Sequence, residues 1–183
     1  MAEALIKNSG KTNWYVITGG PSSGKTTLVN ILKERGYRTT IEHARHYLQT
    51  KQEEGMSIAE IRGNKKLFQL KVLEMQIEQE NALKAEEVVF LDRAIPDALA
   101  YYRFLDLEPD RILMEAITMV SYRKVFLLDL LPLKNDHIRT ENSGEQQRIQ
   151  NLLEEVYTSL HFPIIKVPVM SPHDRVDFIL EHV

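Results

Sequence analysis

Residues 19–26 read Gly19-Gly20-Pro21-Ser22-Ser23-Gly24-Lys25-Thr26, a G-x-x-x-x-G-K-T segment. That spacing binds phosphate: loop N–H groups cradle the anion, the lysine reaches the outer phosphates of a nucleoside triphosphate, and the hydroxyl ligates magnesium. Gly20, Pro21, Ser22, Ser23, Gly24, Lys25, Thr26 and Thr27 are therefore the expected nucleotide contacts. Lys25 is expected to bridge the β- and γ-phosphates, and Thr26 to hold Mg²⁺.

Other chemically capable side chains fall at the ends of apolar runs. Asp92 closes Val88-Val89-Phe90-Leu91, where an acid suits a magnesium ligand, direct or through water. It would equally serve as an N-cap for a helix through Ala94-Ile95-Pro96. Arg93 offers a fork of donors for a phosphate or carboxylate, or an internal ion pair. Glu42 closes Tyr37-Arg38-Thr39-Thr40-Ile41 and could orient or deprotonate an acceptor hydroxyl. Capping a helix or pairing with Arg45 are the alternatives. Arg45 lies one helical turn further on and faces the same cleft. Arg139 stands in the polar segment 134–148, suited to a lid, and could neutralise charge on a transferring group; a solvated loop is the plain reading. Arg175 either lies near a base-packing loop after residue 167 or fixes the last helix by a salt bridge. Asp97, Tyr101 and Tyr102 would line an acceptor cleft or simply one face of an amphipathic helix.

These residues need strands to carry them. Trp14-Tyr15-Val16-Ile17-Thr18 is a short buried strand candidate before the loop. Leu28, Ile31 and Leu32 then share a helical face, and Gly36 stands where a helix ends. Strand two is expected over 37–41, strand three over 88–91, strand four over 125–128 and strand five over 164–167. Between them, Ser57 with Glu60 is a helix start. A long helix follows over 65–84, with Leu67, Leu70, Leu73 and Ile77 as its apolar stripe. Pro96 and Pro109 suit the starts of two further helices. Ile149, Leu152, Leu153, Val156, Tyr157 and Leu160 mark another amphipathic helix, and Ser171-Pro172-His173-Asp174 opens the last. Strands alternating with helices make an α/β fold with a parallel sheet covered on both faces. A single domain over 1–183 is expected, with 51–84 as a substrate-side helical insertion.

Composition narrows the function classes. The chain has 183 residues, a net charge of −3 and no cysteine. That excludes a disulfide scaffold, a thiolate nucleophile and cysteine-ligated metal. Without a dense basic tract, nucleic acid is not the expected partner. No apolar run approaches the ~18 residues of a membrane span, and Met1–Gly10 lacks a signal-peptide core. The expected location is cytoplasmic.

Three segments carry a family resemblance: Gly19–Thr27, Tyr37–Arg45 and Phe90-Leu91-Asp92-Arg93-Ala94-Ile95-Pro96-Asp97. With them go Arg139, Glu141, Val167-Pro168-Val169 and Ser171–Leu180. Together they resemble the small AAA-like P-loop ATPases and kinases that group with the ribosylnicotinamide kinase part of the bacterial NAD-biosynthesis regulator. The resemblance implies a P-loop NTPase three-layer sandwich, nucleoside/nucleotide-kinase-like, with five parallel strands in the order 2-3-1-4-5 and a helical lid. It implies ATP, with GTP as the alternative, and Mg²⁺. It puts Glu42 near a catalytic acid, Asp92-Arg93 near an acid–arginine motif, and Arg139 at the lid arginine. The reading is phosphoryl transfer from ATP to a small-molecule acceptor, with Lys25, Glu42, Asp92 and Arg139 catalytic. Glu42, Arg45 and Arg93 would bind substrate, and Arg175 joins the cofactor contacts. The alternative is a nucleotide-dependent switch or slow NTPase acting through a protein or lipid.

Overall fold

The computed structural model describes residues 10–132 and 142–183. Five parallel strands form one sheet in the order β2-β3-β1-β4-β5. They are β1 (Trp14–Thr18), β2 (Arg38–Thr39), β3 (Val89–Asp92), β4 (Lys124–Leu128) and β5 (Ile164–Val167). The order is the one the resemblance implies. β1 is central, with Ile17 level with Asp92 of β3 and Phe126 of β4.

Alternation along the strands builds two apolar layers. Tyr15, Ile17, Phe90, Phe126 and Val167 face helices α1 (Lys25–Glu34) and α8 (Pro172–Glu181). Trp14, Val16, Val89, Leu91 and Val125 face the opposite way. That side is covered by α4 (Lys65–Asn81), α5 (Ile95–Phe104), α6 (Arg111–Met119) and α7 (Ser143–Ser159). Two helices, α2 (His43–Glu53) and α3 (Ile58–Gly63), join α4 around Leu48, Ile61 and Phe68. Residues 51–84 thus lie in helices and turns outside the sheet.

Three expectations need correcting. β2 has two residues rather than five, because it is an edge strand paired only with β3; Ile41 already lies half in solvent at 49 % exposure. β3 starts at Val89 and extends to Asp92, leaving Val88 exposed. The buried face of α4 runs through Phe68, Gln69, Leu73, Gln76, Ile77 and Glu80, whereas Leu67 is exposed. That helix packs against two neighbours, so a single apolar stripe misplaces its inner face. The predicted caps at Ser57 and Ser171 are present. Of the segment 134–148, residues 143–148 are the first turns of α7, capped by Asn142 with Glu145. Residues 134–141, with Arg139, lie outside the described residues.

Candidate active site

The loop leaves β1 between β3 and β4, at the carboxyl end of the sheet where connections diverge to either side. Gly19 has φ +149°, and a Cβ there would sit 2.8 Å from Ser23 Oγ and 2.9 Å from the Leu128 carbonyl. Gly24, at φ +90°, is the N-cap residue of α1. No side chain caps α1, whereas side chains cap α3, α4, α7 and α8. The first-turn N–H groups of α1 are thus left for an anion, with the helix dipole behind them.

Lys25 folds back over this loop. It is 5 % exposed and donates to the carbonyls of Gly19 at 2.7 Å and Gly20 at 2.9 Å, and to Ser23 Oγ at 3.1 Å. Burial, reinforced by Arg93, pushes its pKa down to about 7, against the pull of Glu42, Asp92 and Asp97. An ammonium so placed gains most from a phosphate beside it.

Asp92 ends β3 beside the loop strand. Its backbone N–H donates to Thr40 Oγ1 at 2.9 Å, but its Oδ1 is buried with no hydrogen-bond partner among the described residues. Burial, then the charge of Glu42, raises its pKa to about 7. Capping α5 is not its role: Asp97 accepts the N–H of Ala94 at the start of that helix. Arg93 follows in a left-handed conformation, φ +66°, uncommon for a side-chain-bearing residue and typical of functional sites. Its Nε donates to Glu42 at 3.3 Å and its Nη1 to Asp97 at 3.2 Å, and its guanidinium lies 5.1 Å from the centre of the Tyr101 ring.

Glu42 precedes α2 without capping it. Its carboxylate instead meets Arg93 and, at 3.8 Å, Arg45 Nε. Burial raises its pKa, but Arg93, then Lys25 and Arg45, outweigh burial and hold it below the usual carboxylate value. Asp97 proves to be a buried hub: besides Arg93 and Ala94 it accepts from Thr18 Oγ1 at 2.6 Å and from the Tyr157 hydroxyl. Tyr101 lines the cleft, while Tyr102 is fully buried and donates to Asp110 at 2.6 Å.

The cation expected at the base-packing loop turns out to support the phosphate loop from behind. Arg175 is 1 % exposed and spends four N–H donors on backbone carbonyls: Ser23 at 2.7 Å, Asp129 at 2.8 Å, Pro168 at 2.9 Å and Val167 at 3.2 Å. Its expected direct contact with nucleotide is therefore corrected to a contact with the loop. Two residues that sequence reasoning passed over hold the other side. Gln146 Nε2 donates to the Pro21 carbonyl at 2.7 Å, and Gln150 accepts the Gly20 N–H at 2.7 Å while donating to the Leu128 carbonyl. The Gly20 N–H is thereby engaged within the protein. The available signal was two glutamines at i, i+4 on the apolar face of α7.

A cavity of about 360 Å³ opens beside the loop. Lys25, Glu42, Arg45 and Arg93 all line it, together with Pro21, Gln69, Asp97, Tyr101 and Glu145. Thr26, Thr27, Asp92 and Arg175 do not. The exposed Thr26 is the second residue of α1. Its hydroxyl and the unpartnered Asp92 Oδ1 are hard oxygen donors, a set that suits Mg²⁺.

The fold is shared with solved structures of low sequence identity. One is the NadR protein in complex with NR, at 15 % identity and TM-score 0.64 over 93 % of this chain; this chain spans only 49 % of that one. The deoxyadenosine kinase of M. mycoides with bound dATP matches at 15 % identity and TM-score 0.62, over 92 % of this chain and 97 % of its own. Thymidylate kinase of Candida albicans matches at 15 % identity and TM-score 0.59, over 94 % and 91 %. No curated protein matches the chain by sequence. The AAA domain family AAA_28 matches residues 14–175, a stretch that runs from β1 through the phosphate loop, Glu42, Asp92 and Arg93 to Arg175. By that match the chain belongs to the AAA_28 family of AAA domains.

Proposed function

We propose that this protein transfers the γ-phosphoryl group of ATP, or alternatively GTP, to a hydroxyl or phosphate of a small acceptor. The supporting observation is that Lys25 and Glu42 line the same cavity. The ammonium that grips the outer phosphates and the carboxylate that would orient an acceptor hydroxyl are therefore on one opening. An open cavity at this place favours transfer over a switch that binds nucleotide and passes nothing on. The NadR structure with NAD and AMP-PNP, and the kinases with the same fold, agree with this class of reaction.

In this reading the N–H groups at the start of α1 and Lys25 hold the triphosphate. Thr26 and Asp92 would hold Mg²⁺, which when bound neutralises phosphate charge. Glu42, kept ionised by Arg93, Lys25 and Arg45, orients the acceptor hydroxyl and takes its proton late. A loose phosphoryl-transfer transition state asks little base strength of it. Arg93 and Arg45 border the acceptor. Arg139 would meet the transferring group. No helix among the described residues is long and apolar enough to cross a membrane, and a cytoplasmic small-molecule enzyme is the reading adopted.

The test is ATP consumption with Mg²⁺ over a panel of nucleosides, nucleotides, vitamins and sugars, with Lys25→Ala as control. Acceptor-dependent turnover that falls by at least ~100-fold in the variant is expected, the scale of one lost transition-state contact. Turnover and ATP affinity that are both unchanged in Lys25→Ala would refute the reading.

A further inference from the structure

No side chain caps α2, although the helix starts on the cavity. Its first-turn N–H groups are therefore left for an acceptor from outside the helix. His43 is the first residue of α2, is 5 % exposed, and lines the cavity beside Ala44. Its Nε2 lies 2.7 Å from Gln79 Oε1. An amide oxygen only accepts, so Nε2 carries the ring proton and Nδ1 is left with a bare lone pair. Burial pushes the pKa of the ring down, against the pull of the Gln79 bond, and the imidazole is neutral at pH 7. Nδ1 is buried and has no hydrogen-bond partner among the described residues. A buried acceptor without a donor costs stability, and native proteins rarely keep one. A ligand in the cavity accounts for it.

The two unmet needs define the group that answers them. Nδ1 needs a donor, and the α2 N–H groups need an acceptor. A hydroxyl is both at once. A carboxylate has no proton to offer Nδ1, and an ammonium has no lone pair to offer the N–H groups. Glu42, one position earlier, lines the same cavity and is the carboxylate that would orient the reacting hydroxyl. The hydroxyl at His43 is therefore a second one. We propose that the start of α2 holds a non-reacting hydroxyl of the acceptor, which donates to His43 Nδ1 and accepts from a first-turn N–H, so that the acceptor is a polyol, free or as the sugar of a larger molecule. The inference rests on reading the cavity as the acceptor site.

The experiment compares wild type with His43→Gln and His43→Asn. Glutamine sets its amide where Nε2 stands and keeps a donor for Gln79. Asparagine sets its carbonyl where Nδ1 stands and keeps the acceptor. Melting is measured on the free proteins. Binding is then titrated with adenosine, nicotinamide riboside and pantothenate, which carry several hydroxyls, and with 2′,3′-dideoxyadenosine, which carries one. ATP consumption is measured with each. In the free protein, His43→Gln should melt within about 2 °C of wild type and His43→Asn about 2–4 °C lower, the worth of one hydrogen bond. At least one polyol should bind wild type, with affinity falling roughly 3- to 10-fold in His43→Gln and less than about twofold in His43→Asn. The dideoxy compound should bind wild type no better than His43→Gln. ATP affinity should not move. A histidine that only supports the fold would instead weaken binding in step with melting, most in His43→Asn. That pattern, equal polyol affinity in all three proteins, or no polyol binding by wild type would each overturn the inference. His43-dependent polyol binding without ATP consumption would leave the inference standing and sink the kinase reading. Acceptor-dependent turnover indifferent to His43 would do the reverse.

Discussion

Arg175 Nη1 donates to the carbonyl of Ser23 at 2.7 Å, tying the last helix to the middle of the phosphate loop across 152 positions of sequence. The same guanidinium holds the Asp129, Pro168 and Val167 carbonyls. Among the described residues it pairs with no carboxylate, so a buried positive charge stands directly behind the loop. Arg175→Met would take a donor from four carbonyls, of which Val167 alone keeps a backbone partner among the described residues, in the Asp129 N–H, and should cost on the order of 3–5 kcal/mol. Arg175→Lys keeps the charge but loses the planar fork. We expect it to fold, to melt several degrees lower, and to bind ADP roughly tenfold more weakly. Melting and ADP titration of the lysine variant check this. A lower melting temperature with unchanged ADP affinity would make Arg175 a stabiliser that does not shape the loop.

Glu42 answers to three cations, and its pKa is held below the ordinary value. It should therefore be ionised at neutral pH. Glu42→Gln keeps the shape and removes the charge that Arg93 and Arg45 face. Acceptor phosphorylation should fall by about 10²- to 10³-fold, within the range for a positioned acid or base. KM for ATP should change less than about threefold, because the phosphate loop is untouched. Steady-state kinetics with each substrate varied separate the two. Equal losses in kcat and in ATP affinity would place Glu42 in the support of the loop.

What could be read from the chain, and what could not, divides along a physical line. Lys25 was legible from the G-x-x-x-x-G-K-T spacing, and Asp92, Glu42 and Arg93 because each follows an expected strand, at the carboxyl end where this class of sheet gathers ligands. The strands were legible as short apolar runs, except the edge strand β2, whose Thr40 and Ile41 alternate like strand residues but have no second neighbour to pair with. The roles of Gln146, Gln150 and Arg175 were not legible. They bind backbone carbonyls and an N–H more than 100 positions away, and a backbone group leaves no mark in the residue type that carries it. Asp97 lay hidden as a helical acid. Its partners Thr18 and Tyr157 come from β1 and α7, and only the strand order brings them together.

Glu80 supplies a pH test of the core beneath α5. It is 1 % exposed and accepts from the Tyr122 hydroxyl at 2.8 Å, Gln76 Nε2 at 2.9 Å and the Ile95 N–H at 3.3 Å. Burial raises its pKa from 4.5 to about 7, more than those three hydrogen bonds lower it. A carboxyl whose folded pKa exceeds its unfolded value holds its proton more tightly when folded. The stability it contributes is complete below about pH 4.5 and is lost as pH rises through about 7, on the order of 3 kcal/mol in all. Glu80→Gln keeps an acceptor for Ile95 and removes the ionisation. It should melt roughly 4–10 °C above wild type at pH 8 and within about 2 °C of it at pH 5. Paired melting curves at the two pH values measure the difference directly. A gap of the same size at both would show that Glu80 acts through its packing and hydrogen bonds, with no contribution from its charge.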